Sequence, residues 1–588
     1  MSSLILALDN LSIPTQIGEN GQSEYAWSHN INDRIVQLNF QLVRNGLETD
    51  LWKVIEELLL HLFKCYKTNT ICKEVYISYM SYMYRLIGLT RDIIDGKGEY
   101  KLSYMMLGVW LKMSSLTGDQ NFIELAKFAF KHFFVDDNGE HPYGSWKDLK
   151  GLYAYSVNNF DKCNWTPLIN YGIELANEVL LRDIYSDNPS LLAKWIPREK
   201  SSFNELFTML AINFHKDYKF IQTATNELSR QKAIRKCLTL YRKIISSINK
   251  KLDTVQIKQC NRNWSTIDFN KVTSITLHKQ KQAFMNKKHD GTIRYDNPDR
   301  VICSNNFSNY LESIRNGINE AKGARIGMAD FTKEALRLLN LDNLDSDNNR
   351  DAIDLLNAQW ENNCKSINND TLGKMIAMVD TSGSMDGDPL MVAIALGIRI
   401  AEKSLLGKRV MTFSSCPKWV NLDNCDNKFT EMVKTIDNSD WGMNTNFSSA
   451  LKMILDAIET NKLHPNDVED MVLVILSDMQ IDQADKNNSK SMYEYMEKIY
   501  KDAGMRVWGK PYKPPHILFW NLRSTNGFPT LSSQKNASMM SGFSPSLLNM
   551  FCEEGMTSLQ SCTPWSLFIK SLGNERYMCL DTFIRETL

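Results

Sequence analysis

Apolar residues recur at helical spacing from Asp50 onward. In DLWKVIEELLLHLFKCY, Leu51, Val54, Ile55, Leu58, Leu59 and Leu62 fall on one face, the signature of an amphipathic helix. Asp50 stands where a helix N-cap is expected. The runs KEVYISYMSYMYRLIGLTRDI and EYKLSYMMLGVWLKMSSLTG are each long enough for a buried helix, with DGKGE and DDNGEHPYGS as punctuation. Helical patterns continue in NYGIELANEVLLRDIY, FNELFTMLAINFHKDY and RQKAIRKCLTLYRKIISSINKKL. Strand alternation is scarce before residue 370. Helix after helix on short connections predicts an all-α helical-repeat domain over residues 45–365, although no clean sequence period runs through it. Residues 1–44 carry no pattern that assigns them.

The grammar changes after an acidic, Asn-rich stretch between Leu341 and Asp370. KMIAMVD, RVMTFSS, MVLVILSD, HILFWNLR and ASMMSGF read as short apolar strands. PLMVAIALGIRIAEK, FSSALKMILDAIET, SMYEYMEKIYKDAG and PSLLNMFCEEG read as helices between and after them. This alternation predicts a parallel, doubly wound α/β sheet of Rossmann-like type over residues 371–588, covered on both faces. The chain is therefore expected to be multidomain. In such sheets ligands bind at the carboxyl ends of the strands.

The totals narrow the class. A chain of 588 residues exceeds what one hydrophobic core sustains. With 43% hydrophobic and 23% charged residues, it is not the composition of a disordered protein. The 68 Lys+Arg balance 68 Asp+Glu, so only local charge bears on partners. The twelve cysteines fall singly, without a CxxC pair, which points to reduced thiols in a cytosol-like compartment. The N-terminal MSSLILALDNLSIPTQ lacks the basic region of a signal peptide. No window reaches the ~18 apolar residues of a membrane span. A soluble, cytoplasmic protein with no membrane partner is expected.

The first strand of the second region ends in Asp380-Thr381-Ser382-Gly383-Ser384. Asp380, Ser382 and Ser384 place one carboxylate and two hydroxyls at alternate positions, where they can converge on one point beyond the sheet, with Gly383 easing the turn. These are hard oxygen donors, suited to Mg2+, Mn2+ or Ca2+ rather than zinc. Trp441-Gly442-Met443-Asn444-Thr445-Asn446 precedes a helix and offers the Thr445 hydroxyl, and MVLVILSD brings Asp478 to another strand end. A lone DxSxS is weak, because serine and aspartate cap many strand-to-helix turns. Three loops in order, each at a strand end or helix start, are a stronger signal.

Asp380, Ser382, Ser384, Thr445 and Asp478 resemble the five positions of the metal-ion-dependent adhesion site of von Willebrand factor A (vWA) domains. The third loop, WGMNT, is longer between glycine and threonine than in many such domains. The resemblance implies an α/β sheet, a divalent cation, and a partner that donates a carboxylate to an open coordination position. TRDIIDGKGEYKLSYMML, HPYGSWKDLKGL, NWSTIDFNKV, MVDTSGSM, WGMNTNF, LSDMQIDQA and HILFWNLR with MSGF resemble the domain-of-unknown-function family 2828 of plants, fungi and giant viruses. That family is similar to the TROVE-plus-vWA proteins, the Ro RNA-binding autoantigens and their bacterial kin. In those proteins HEAT-like helical repeats close into a ring, the vWA domain joins its ends, and RNA binds in and around the ring. A viral relative would work in the host cytoplasm or in the virion.

Local charge is compatible with that analogy. Between Leu191 and Arg300 there are 22 Lys+Arg against 9 Asp+Glu. Arg230, Lys232, Arg235, Lys236, Arg242 and Lys243 crowd one helical run and could attract structured or single-stranded RNA by counterion release. The plainer explanation is a solvated polar face balanced by acids elsewhere. TRDIIDGKGE lacks the GxxxxGK[ST] of a phosphate loop and reads as a turn pinned by ion pairs. Asp345, Asp347, Asn349 and Asp351 alternate like a calcium loop, but Arg350 and Leu356 stand where glycine and glutamate are needed. Asp380 as a phosphoryl acceptor would want a second aspartate where Ser382 stands. Trp146 and Trp264 read as core. The expectation is a non-enzymatic, Ro-like RNA-binding or ribonucleoprotein component with a metal site. The alternatives are a metal-dependent protein–protein adaptor and, behind it, a metal-dependent phosphohydrolase.

Overall fold

A computed structural model of the chain describes residues 14–19, 21–44, 46–135, 141–288, 291–340, 347–365, 371–413, 416–439, 447–469, 471–480, 492–552 and 561–588. Helices dominate up to residue 365, and a six-stranded mixed sheet follows.

The patterned runs fold as helices Glu48–Lys67, Lys73–Arg91, Tyr100–Thr117, Thr166–Tyr185, Asn204–Phe214 and Glu227–Leu252. The first begins two residues before Asp50. Leu47 holds the cap position without a side-chain hydrogen bond, so the expected Asp50 cap is instead an acid in the first turn. It is still favourably placed against the helix dipole. Tyr100–Thr117 is buried along most of its length and ends at Gly118 with φ +76°, a left-handed stop that glycine tolerates. The unassigned N-terminal segment contains a short antiparallel hairpin, β1 (Thr15–Ile17) with β2 (Ser23–Tyr25), and a buried helix, Ile31–Gln41.

The sheet runs in the order β5-β4-β3-β6-β7-β8, with β3 Met375–Asp380, β4 Arg409–Phe413, β5 Lys418–Asn421, β6 Val472–Ser477, β7 His516–Asn521 and β8 Ala537–Ser541. Five strands are parallel, as expected. The edge strand β5 pairs antiparallel with β4, so the sheet is mixed. Strands β3, β6, β7 and β8 are buried along their whole length, which explains their unbroken apolar text. One face packs Ala377 and Val379 against helices Asp388–Lys403 and Phe429–Asp437; the other packs Ile376 and Met378 against Phe447–Thr460 and Met492–Trp508. Gly397 brings the first of these helices close, since a Cβ there would lie 2.6 Å from Val379 Cγ2.

Buried ions tie the elements together. The TRDIIDGKGE turn is pinned as its sequence suggests. Arg91 makes a bidentate pair with Asp148 (2.8 and 2.6 Å), and Asp92 takes a bidentate pair from Arg576 (2.7 and 2.9 Å). Lys97 donates to the carbonyls of Asn39 (2.6 Å) and Leu42 (3.3 Å) and to the hydroxyl of Ser541 at the end of β8 (2.7 Å). The last helix, Met578–Thr587, packs against Lys73–Arg91, where Asp581 meets Ser81 and Arg85. In the rejected calcium-loop segment, Asp351 and Asp354 pair with Arg315. Among the described residues no helix is long and apolar enough to cross a membrane.

Candidate metal centre

Chain order along the sheet reverses between β3 and β6. From β3 the chain steps outward to β4 and β5, then returns beside β3 and proceeds through β6, β7 and β8 the other way. At such a switch point the loops leaving adjacent strands diverge and open a crevice at their carboxyl ends. Asp380 is the last residue of β3, and Asp478 follows the last residue of β6.

Asp380 is fully buried. Its Oδ1 accepts from the Ser382 amide at 2.9 Å, and its Oδ2 accepts from the Ser477 hydroxyl at 2.5 Å. The loop leaves β3 with the Thr381 amide bonded to the Phe413 carbonyl of β4 (3.1 Å), then makes a single 3-10 turn over Gly383–Met385. Ser382 and Ser384 are brought hydroxyl to hydroxyl, 3.1 Å apart. Gly383 lies inside that tight turn without a left-handed φ. The left-handed glycine of the loop is Gly387 (φ +92°), which turns the chain into helix Asp388–Lys403.

Asp478 is also fully buried. Its Oδ1 accepts from the Gln480 amide (3.2 Å), while its Oδ2, cut off from solvent, has no hydrogen-bond partner among the described residues. Met479 beside it takes a left-handed φ of +63°, the kind of strain that concentrates at functional loops. Burial, and then the charge of Asp478, push the Asp380 carboxyl up to about 7 despite the Ser477 and Ser382 hydrogen bonds. Burial also raises Asp478, against the opposing pull of the Gln480 amide, the Ser384 hydroxyl and the Arg523 charge.

Two buried carboxylates and two facing hydroxyls form an all-oxygen donor set, and one carboxylate oxygen makes no hydrogen bond among the described residues. That set fits a hard divalent cation. Among the described residues no group of three or more His, Cys, Asp or Glu comes together, at this site or elsewhere, so any ion here would rest on two carboxylates and the hydroxyls. Thr445, the fifth expected ligand, lies outside the described residues.

Three further groups at the site were not singled out from sequence. Ser477 orients Asp380, and the LSD text at the end of β6 could have signalled it. Arg523, two residues past β7, donates to the Ser384 carbonyl. Glu19, from the hairpin turn between β1 and β2, accepts from the Gln480 side chain (2.8 Å) and adds negative potential at Asp478. No local pattern links residue 19 to a site four hundred residues later.

The six expected RNA-binding cations all lie exposed on helix Glu227–Leu252. Ala233, Cys237, Tyr241 and Ile248 form its buried stripe, so Lys232, Arg235, Lys236, Arg242 and Lys243 point outward by helical geometry. Arg242 pairs with Glu199 (2.6 Å) and Lys236 sits 4.3 Å above the Phe220 ring. Arg230, Lys232, Arg235 and Lys243 have no ion pair among the described residues.

Fold and site thus define a helical protein carrying a mixed α/β sheet with a buried cluster of two carboxylates and serine hydroxyls at its strand switch point. Residues 175–372 match the family described as Domain of unknown function (DUF2828), and residues 374–566 match Domain of unknown function (DUF7788). The chain is also similar to Uncharacterized protein L728 of Acanthamoeba polyphaga mimivirus, 27% identical over 514 residues, which covers 84% of this chain and 79% of the viral protein. The strand-end aspartates and serines all fall in the second matched region.

Proposed function

We propose that the chain is a non-enzymatic binding protein built from a vWA-type sheet domain and a TROVE-like helical domain. Asp380, Ser382, Ser384 and Asp478, with Thr445, hold Mg2+ (or Mn2+ or Ca2+) and present it to a carboxylate of a protein partner. The observation that carries this reading is the buried Oδ2 of Asp478, which makes no hydrogen bond within normal geometry among the described residues, beside the buried Asp380 and the Ser384 hydroxyl. A second carboxylate with no cationic side chain bonded to it is costly to keep, and a divalent ion offsets that cost. The test is thermal melting with Mg2+ and with EDTA. Magnesium should raise the melting temperature by several degrees, because it binds only the folded state, and Asp380→Ala should remove most of the shift. An equal shift in both proteins would contradict the assignment.

The helical domain, in the same reading, binds RNA on the outward face of Glu227–Leu252. Support comes from four exposed cations without carboxylate partners among the described residues. If RNA does not bind at low salt, the helices act as a scaffold and the protein is a metal-dependent adaptor. The mimivirus relative makes a virus-infected cell, its cytoplasm or the virion, the setting in which to look for partners.

A further inference from the structure

The short helix Leu192–Trp195 and the loop after it lie against helix Glu227–Leu252, fixed there by a 2.9 Å hydrogen bond from the Asn249 amide to the Ala193 carbonyl. Beside them is a cleft of about 680 Å3, within the size range of small-ligand sites. Its wall is lopsided in charge. Lys150, Lys194, Arg198, Lys200, Arg242 and Lys250 line it, against a single carboxylate, Glu199, already paired with Arg242.

Two of the lysines are not free surface groups. Lys150 and Lys194 are half-buried, with their ammonium groups 5.3 and 5.5 Å from the centre of the Trp195 ring. Burial holds both below the ordinary lysine range, and the charges of Lys147 and Arg198 depress Lys150 further. No carboxylate among the described residues compensates either one. Partly desolvated cations clustered without a counterion among the described residues carry an electrostatic cost that a bound anion offsets. Trp195 adds a flat apolar surface at the same place, and Gln256 and Asn261 add amide groups. Together these features describe a ligand with a compact multiple charge and an aromatic part.

We infer that this cleft binds a nucleoside phosphate, its phosphate held by Lys150, Lys194, Arg198 and Arg242 and its base set against Trp195. The ligand is either a free nucleotide or one nucleotide of an RNA strand running along helix Glu227–Leu252. The strand alternative rests on the RNA-binding reading above, whereas the cleft itself does not.

The experiment is equilibrium binding to the full-length protein of three probes: inorganic phosphate, AMP, and a short single-stranded oligoribonucleotide. AMP should bind more tightly than phosphate. The double change Lys150→Ala/Lys194→Ala should weaken AMP at least about tenfold, as loss of charge-assisted hydrogen bonds does. Trp195→Leu should weaken AMP about five- to a hundredfold, the range for base–aromatic stacking, while leaving phosphate binding unchanged. Arg198→Gln alters an exposed side chain and keeps the test valid if the buried changes disturb folding. Parallel loss of AMP and RNA binding supports the cleft as part of an RNA path. Loss of AMP binding with RNA unaffected or never bound supports it as a free-nucleotide site. AMP binding no tighter than phosphate, or indifferent to all three changes, overturns the inference. RNA binding that depends on Lys232, Arg235 and Lys243 would still stand in that case.

Discussion

The Ser477 hydroxyl donates a 2.5 Å hydrogen bond to Oδ2 of Asp380, joining the ends of the two strands between which the sheet reverses its order. Ser477 is not among the proposed ligands; it fixes the orientation of one. Removing such a supporting hydrogen bond commonly weakens metal affinity by about 10–100-fold. Ser477→Ala should therefore weaken Mg2+ binding by about that factor with little change in the fold. Magnesium titration followed by calorimetry, with circular dichroism as the fold control, measures both.

The same carboxyl predicts a pH dependence. The folded pKa of Asp380 is about 7, above its ordinary 3.8. The folded state therefore holds a proton that the unfolded chain has released between those values. Its contribution to stability is present at low pH and is lost as pH rises through about 7. In EDTA, wild-type protein should lose melting temperature between about pH 5 and pH 8 more steeply than Asp380→Asn. Saturating Mg2+ should flatten the wild-type slope, because the ion takes the place of the proton. Identical slopes for wild type and variant in EDTA would remove Asp380 as the cause.

Most of this site was written locally in the chain, and what was missed depends on long-range contact. Helix Phe447–Thr460 coincides with its amphipathic run, and β3, β6 and β7 with their apolar runs, because a fully covered parallel strand has no polar face to blur the signal. β5, with the sequence KWVN, buries only Val420 and is defined by its pairing with β4 rather than by its residues. Helices Phe429–Asp437, Pro564–Leu572 and Met578–Thr587 are amphipathic, but at nine or ten residues each is too short to stand out in the sequence. Asp380, Ser382, Ser384 and Asp478 were legible because their strand-end positions follow from periodicity. Glu19 and Arg523 were not, since only the folded chain brings the N-terminal hairpin and the loop after β7 to the same crevice.

In the helical core, Gly108 sits where a Cβ would lie 2.4 Å from Trp165 and 2.7 Å from Trp52. Both rings are buried, so at least one of them has to shift to admit a methyl group. Gly108→Ala should destabilise the protein by about 1–3 kcal/mol, the usual range for overpacking, even though alanine is the better helix former. Urea unfolding would show a lower midpoint; an unchanged one would mean the tryptophans repack freely.

Asp148 accepts two bonds from Arg91 and one from Tyr104 (2.6 Å), all within a buried pocket. Asp148→Ala leaves the Arg91 guanidinium buried without its counter-ion, which costs about 3–5 kcal/mol. The measured loss of unfolding free energy should exceed that for removing any exposed pair, such as Arg34 with Glu57, whose worth is about 0–1 kcal/mol.

For the proposed RNA face, salt dependence separates charge from coincidence. Neutralising Lys232, Arg235 and Lys243 to glutamine should lower the slope of log affinity against log salt by about 2 for single-stranded RNA. Filter binding across a salt series reads it directly, and an unchanged slope would place the RNA elsewhere.

The contact between Ser81 and Asp581 joins residues 500 positions apart, and Arg85 and Asp92 reach across the same interval to Asp581 and Arg576. During synthesis, then, helix Lys73–Arg91 emerges from the ribosome long before the helix that covers it. Its buried face must wait through most of translation, and a ribosome that stalls before residue 576 leaves that face open. Such a product would be a natural client for chaperones and proteases, so a premature stop near the C-terminus should lower cellular abundance as severely as one near the middle.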